Sequence, residues 1–107
     1  DGVPGPEHTT TQGNNVHAYA DTDDNDVADA GSSPDCGPSL DCSFPLDLTQ
    51  PPLASQAAAV ANVFYWSNLV HDIQHRYGFD EAAGNFQERN YTGQGLGGDR
   101  VRAEAQD

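Results

Sequence analysis

The stretch SQAAAVANVFYWSNLVHDIQHRYGF, residues 55–79, predicts one long helix over about Ser55–Tyr77. The Ser55 hydroxyl is suited to cap the first turn, where backbone N–H groups lack partners. Gly78 supplies the left-handed backbone that ends a helix, and Phe79 is then placed to fold back onto Ile73. Apolar residues recur three and four positions apart, which predicts one apolar stripe formed by Ala59, Val63, Trp66, Val70, Ile73 and Tyr77.

The rest of the chain offers little surface for that stripe to pack against. Only 36% of the 107 residues are hydrophobic, and the mean hydropathy is −0.69. Small chains also bury proportionally less surface than large ones. We therefore expect an incomplete domain, a piece of a larger protein that normally packs on a partner.

Acidic residues dominate the charge of the chain. There are 17 of them against four basic residues, and the net charge is −13. A surface of this sign repels phosphate backbones and anionic lipids, which argues against binding to nucleic acid or to a membrane surface. No apolar run approaches the ~20 residues of a membrane span. The charge favours cations such as calcium, although the same acidity would also simply keep a secreted protein soluble.

The acidic stretch that follows Ala20 is a candidate calcium site. Carboxylate and amide oxygens at alternate positions are able to wrap a hard cation. The stretch is not an EF-hand, because Asp26 stands where that loop needs glycine and Ser32 stands where it needs glutamate. The alternative is a solvated acidic turn without a cation. The candidate ligands are Asp21, Asp23, Asn25, Asp26 and Asp29.

Two histidines one helical turn apart, His71 and His75, form a candidate zinc pair. The pattern resembles the HExxH motif in outline, but Asp72 stands in place of the glutamate. No third ligand follows at a suitable spacing on the helix. The alternative is that His71 makes local hydrogen bonds while Asp72 pairs with Arg76. No catalytic residue is predicted in this chain.

Two further motifs concern covalent modification. Cys36 and Cys42 are the only cysteines, and their spacing predicts a short disulfide loop formed in an oxidising compartment, with free thiols as the alternative. The triplet Asn90-Tyr91-Thr92 fits the N-glycosylation pattern. Such triplets also arise by chance, so this one matters only in a host that glycosylates its secreted proteins.

Alternating apolar residues predict short strands on either side of the helix. They cover Asn15–Ala20, Ser43–Leu48 and Val101–Ala105, and Pro45 restricts the second of these to an edge strand or a bulge. Glycine and asparagine predict mostly loop between the helix and the last strand. The predicted layout is strands and an acidic loop over 1–54, a long helix over 55–78, and a Gly/Asn-rich loop with a strand over 79–107.

Four segments occur together and in order: TTTQGNNVHAYAD at 9–21, FYWSNLVHDIQHRYGF at 64–79, DEAAGNFQ at 80–87 and GQGLGGDRVRAEAQD at 93–107. Together they resemble the fungalysin family of secreted zinc metallopeptidases, which are relatives of thermolysin. The helix and the DEAAGNFQ segment that comes after it are the most specific part of this resemblance. Residues 22–52 add little to it.

The resemblance implies an α+β fold with one long helix, the N-terminal lobe of a thermolysin-like catalytic domain. In that family the zinc ligands and the catalytic glutamate lie C-terminal to the region matched here, and the His71–Asp72 pair is not the zinc site. The resemblance therefore implies a secreted parent that cleaves proteins through a zinc-activated water, with the C-terminal remainder of the domain as the partner of this chain. This chain alone is expected to be inactive. The competing hypothesis is a non-catalytic, acidic extracellular module that binds calcium or a protein partner.

Overall fold

A computed structural model describes residues 6–106 of the chain. In chain order it contains strand β1 (Val16–Ala20), a 3-10 turn (Pro52–Ser55), helix α1 (Gln56–Arg76) and strand β2 (Val101–Ala105). The predicted α+β class and the single long helix are confirmed. Residues 1–5 and 107, which belong to the first and last predicted segments, lie outside the described residues.

The two ends of α1 differ in how far they agree with the prediction. Ser55 makes no side-chain capping bond, so that part of the prediction is wrong. Its hydroxyl oxygen instead accepts the backbone N–H of Asp47 at 3.3 Å. At the other end the left-handed glycine is confirmed: Gly78 adopts a φ of 102°, and the N–H of Phe79 donates to the carbonyl of Gln74 at 2.9 Å. The ring of Phe79 packs against Phe86.

Strands β1 and β2 pair in parallel although about 80 residues separate them in the chain. Val16 lies opposite Val101, and Ala20 lies opposite Ala105. Parallel strands need a crossover connection, and the segment that connects β1 to β2 contains α1. This helix packs on one face of the two-stranded sheet. Both strands were predicted at these positions. Their pairing with each other was not predicted.

The strand predicted over Ser43–Leu48 does not form. Within these residues Pro45 has no N–H to donate to a ladder. The neighbouring aspartates turn the backbone instead: Asp41 accepts the N–H of Ser43 at 3.1 Å, and Asp47 accepts the N–H of Thr49 at 2.9 Å. Such local side-chain bonds compete with strand pairing.

The core lies between α1 and the sheet, and it is small. Val60 is fully buried against alanines of both strands, and Val63 and Phe64 pack beside it. Most of the predicted stripe has no surface to pack against, as expected for an incomplete domain: Trp66 is 54% exposed and Tyr77 is 89% exposed. The physical reason is length. A helix of 21 residues is about 31 Å long, whereas strands of five residues extend only about 17 Å, so the sheet covers the first half of α1.

Candidate functional sites

The acidic loop that comes after β1 folds around the carboxylate of Asp21. This side chain is fully buried, and its two oxygens accept the N–H groups of Asn25 at 3.2 Å and of Asp26 at 2.8 Å. A second carboxylate, Asp29, closes the loop by accepting the N–H and the hydroxyl of Thr22 at 3.1 and 2.7 Å. Much of the acidic loop is thus ordered by its own backbone donors.

Four of the five predicted calcium ligands do come together. The carboxylate oxygens of Asp21, Asp23 and Asp29 lie within 4.8 Å of one another, and those of Asp21 and Asp26 form a second such group with Glu104. Asn25 instead donates to Asp23 at 2.9 Å. Glu104 was missed by sequence reasoning because it lies on β2, about 80 residues away. The calcium site stays a prediction.

The pKa values of two neighbouring carboxyl groups in this loop, Asp21 and Asp23, shift in opposite directions. Burial acts to raise the pKa of Asp21, but the backbone hydrogen bonds from Asn25 and Asp26 outweigh it and hold that pKa below its usual value. Burial raises the pKa of Asp23, and the hydrogen bond and repulsion from Asp21 raise it further. Two carboxylates this close repel each other, which a bound cation would relieve.

The two candidate zinc ligands lie on the exposed second half of α1. The rings of His71 and His75 are stacked with centroids 6.4 Å apart. Nδ1 of His71 lies 3.3 Å from a carboxylate oxygen of Asp72, and its Nε2 lies 3.5 Å from the amide nitrogen of Asn85. No ion pair joins Asp72 to Arg76 within residues 6–106.

Both ring nitrogens of His71 therefore face protein groups. Within the described part of the chain, no acidic residue, cysteine or further histidine joins the two histidines in a three-ligand group. Three protein ligands are the minimum in catalytic zinc sites. The described residues thus do not fit a zinc centre at this position.

A buried carboxylate that sequence reasoning missed organises the segment after α1. Glu81 accepts the N–H groups of Tyr91 at 2.9 Å and Thr92 at 2.8 Å, the Thr92 hydroxyl, and the amide of Gln87 at 3.0 Å. The hydroxyl of Thr92 lowers the pKa of Glu81 most; burial opposes this, and the remaining bonds bring it to about 2. We call this arrangement the Glu81 clamp. Glycine and asparagine around it indicated only loop, because its partners lie six to eleven residues away.

The exposed half of α1 carries an apolar face that extends onto the next segment. The ring of Phe79 packs edge-on against that of Phe86 with centroids 5.7 Å apart. These rings, the helix and Val101 line a groove of about 270 Å³. Five side chains define what we call the apolar face: Trp66, Val70, Ile73, Phe79 and Phe86.

A disulfide joins Cys36 to Cys42, as predicted. The N–H of Cys36 donates to the carbonyl of Thr9 at 2.8 Å, which ties this short loop to the segment that precedes β1. Its role here is to close a surface loop. No helix within residues 6–106 has the length and apolar character needed to cross a membrane.

A small β-α-β unit with an uncovered apolar helix face is typical of part of a larger domain. The sequence profile of the fungalysin metallopeptidase family matches residues 2–107. The chain therefore belongs to the fungalysin family of metallopeptidases.

Individual relatives agree with this assignment. The chain is 39% identical over 100 residues to a probable extracellular metalloproteinase 5 of Trichophyton verrucosum. It is 38% identical to the extracellular metalloproteinase 5 of Trichophyton rubrum and to the extracellular metalloproteinase 1 of Arthroderma gypseum, again over 100 residues. Each alignment covers 94% of this chain but only 16% of the relative. The chain thus spans about a sixth of the length of these relatives.

Proposed function

We propose that this chain forms the N-terminal lobe of the catalytic domain of a secreted, zinc-dependent endopeptidase whose zinc ligands lie outside residues 1–107. The observation that carries the proposal is the match to the fungalysin family along nearly the whole chain, at a sixth of the length of its relatives. Relatives named as extracellular support secretion of the parent.

The apolar face indicates the role of the lobe. Trp66, Val70 and Phe86 are each about half exposed although the chain is otherwise strongly acidic and polar. An apolar groove rimmed by such residues is a typical contact surface. We propose that the C-terminal remainder of the catalytic domain packs on this face, so that the lobe forms one wall of the cleft in which protein substrates bind.

Two preparations test the activity. A secreted protein that carries this sequence together with its downstream region is expected to cleave casein, to lose activity with a zinc chelator and to regain it with zinc. The isolated 107-residue chain, prepared free of other proteases, is expected to leave casein intact under the same conditions. Zinc-dependent cleavage by the isolated chain would contradict the proposal, as would a longer protein that stays inactive with zinc present.

A matched pair of variants tests the apolar face in the longer protein. Val70→Asp places a charge on the proposed contact surface, and we expect it to abolish secretion or activity because a buried unpaired charge is strongly unfavourable. Leu96→Asp likewise replaces an aliphatic side chain by a carboxylate, at a position that is 81% exposed outside this face. Equal activity in the two variants would show that the face is not covered.

The second candidate, a non-catalytic module that binds calcium or a protein, draws on the carboxylate groups of the acidic loop. The two functions predict different transcript sequence downstream of Asp107. An HExxH motif there favours the peptidase, and a reading frame that lacks one favours the module. Calcium binding by itself does not separate them, because a peptidase lobe is also able to carry calcium.

A further inference from the structure

The triplet Asn90-Tyr91-Thr92 fits the pattern for N-glycosylation, but the fold uses its side chains for another purpose. The amide nitrogen Nδ2 of Asn90 donates to the backbone carbonyls of Gln94 at 2.7 Å and of Leu96 at 3.0 Å. Both of its hydrogens are therefore directed at the backbone of the same loop. The amide oxygen is buried, and it has no hydrogen-bond partner within residues 6–106.

The backbone around this amide is held from several sides. Tyr91 and Thr92 are bound by the Glu81 clamp, and the N–H of Gly98 donates to the carbonyl of Glu88 at 2.8 Å. At Gly95 a Cβ atom would lie 3.1 Å from Nδ2 of Asn90 and only 2.2 Å from the carbonyl oxygen of Glu81. The loop thus wraps closely around the nitrogen to which a sugar would be attached.

Glycosylation would form a bond between Nδ2 and the first carbon of the sugar. The bond from that carbon to its lipid pyrophosphate carrier breaks, and the amide loses one hydrogen. Since the amide is planar, the sugar carbon must replace one of the two hydrogens. A C–N bond is roughly 1.45 Å long, so this carbon would sit between Nδ2 and a carbonyl oxygen that is itself no more than 3.0 Å away.

We infer that a glycan on Asn90 and the native fold of this lobe exclude each other. Asn90 is a structural residue that ties residues 90–96 together, and the folded, secreted protein carries no sugar at this position. The loop itself imposes this exclusion, whether or not the parent is a peptidase.

The first experiment measures glycan occupancy. The chain is secreted from a yeast that glycosylates asparagine, the folded pool is isolated by its resistance to protease, and the peptide containing Asn90 is analysed by mass spectrometry before and after enzymatic deglycosylation. We expect unmodified Asn90 in the folded pool, with any glycan confined to the protease-sensitive pool. A folded pool that is largely glycosylated at Asn90 would overturn the inference.

Val27→Thr provides the matched control, because it completes the same pattern at Asn25. Within residues 6–106 that amide donates a single hydrogen bond, to Asp23 at 2.9 Å, and Asn25 lies in an exposed loop. We expect the folded variant to carry a glycan at Asn25 and none at Asn90. This outcome shows that the host modifies an accessible asparagine in this chain, so that an unmodified Asn90 does not reflect an inactive host.

The second experiment tests the structural role without any glycosylation. In protein made in bacteria, Asn90→Ala removes two hydrogen bonds, and we expect the thermal midpoint to fall by roughly 5–10 °C. Asn25→Ala in the exposed loop is expected to change it by less than about 3 °C. Equal midpoints for Asn90→Ala and the unchanged chain would remove the structural role and with it the inference.

Discussion

The contribution of an α1 side chain to the stability of this chain should depend on whether that side chain lies in the core. Val60 is completely buried between α1 and the sheet. Val60→Ala removes two methyl groups, worth about 1.6 kcal/mol in transfer from water. The cavity that remains adds to this cost, so we expect the free energy of unfolding to fall by about 2–3 kcal/mol. For a domain of this size the thermal midpoint should fall by roughly 10–20 °C.

Val70→Ala is the matched control, because it is the same substitution on the same helix at a side chain that is 48% exposed. We expect a loss below about 1 kcal/mol in the isolated chain. Urea denaturation monitored by far-UV circular dichroism measures both variants, with sucrose added to all samples so that a weakened variant still begins folded. Equal destabilisation of the isolated chain by Val70→Ala and Val60→Ala would refute this account of the core.

Three further predictions concern the loops. The pKa of Glu81 is about 2 in the folded chain and 4.5 ordinarily, so its clamp stabilises fully above about pH 4.5 and is lost as the pH falls toward 2. Amide hydrogen exchange around Tyr91 and Thr92 should therefore become faster at low pH than the intrinsic rate predicts. Glu81→Gln should remove this pH dependence, and a variant that keeps it would contradict the role of Glu81. Gly95→Ala should destabilise the chain more than Gly93→Ala. Both residues have a φ near 70°, but only at Gly95 would the new Cβ lie against a backbone oxygen. Gly93→Ala should lower the free energy of unfolding by about 1–2 kcal/mol, and equal denaturation midpoints for the two variants would argue against the close contact at Gly95. Calorimetry with calcium should give a binding isotherm for the chain and none for the double variant Asp21→Ala/Asp23→Ala; flat titrations for both would remove the site.

Helix α1 shows how much of the fold local sequence determines. Its length and its end at Gly78 depend on spacing and on glycine, which act over one or two turns. The two strands were likewise visible as alternating residues. Periodicity shows which residues share a side of a helix, but burial depends on what surface reaches that side, so the sequence did not show which part of the stripe the chain itself would cover. Here the short sheet reaches Val60 and Phe64 but not Tyr77.

The candidate sites show the same division. The aspartates of the acidic loop are neighbours in the chain, so their grouping was predictable, while Glu104 joined them only through the pairing of β2 with β1. The Glu81 clamp had no sequence signal, because a glutamate near glycines and asparagines is common in exposed loops. Its carboxylate is buried because the following loop places the donors of Gln87, Tyr91 and Thr92 around it.

The sequence by itself determined the helix, the positions of β1 and β2, the acidity and the resemblance to the fungalysin family. Tertiary structure alone decided that β1 and β2 pair in parallel, which half of α1 the sheet covers, and that the amide of Asn90 is enclosed. The reason is physical. Helix caps and alternation are interactions between near neighbours, whereas strand pairing, burial and the enclosure of a side chain depend on which distant segments the folded chain brings into contact.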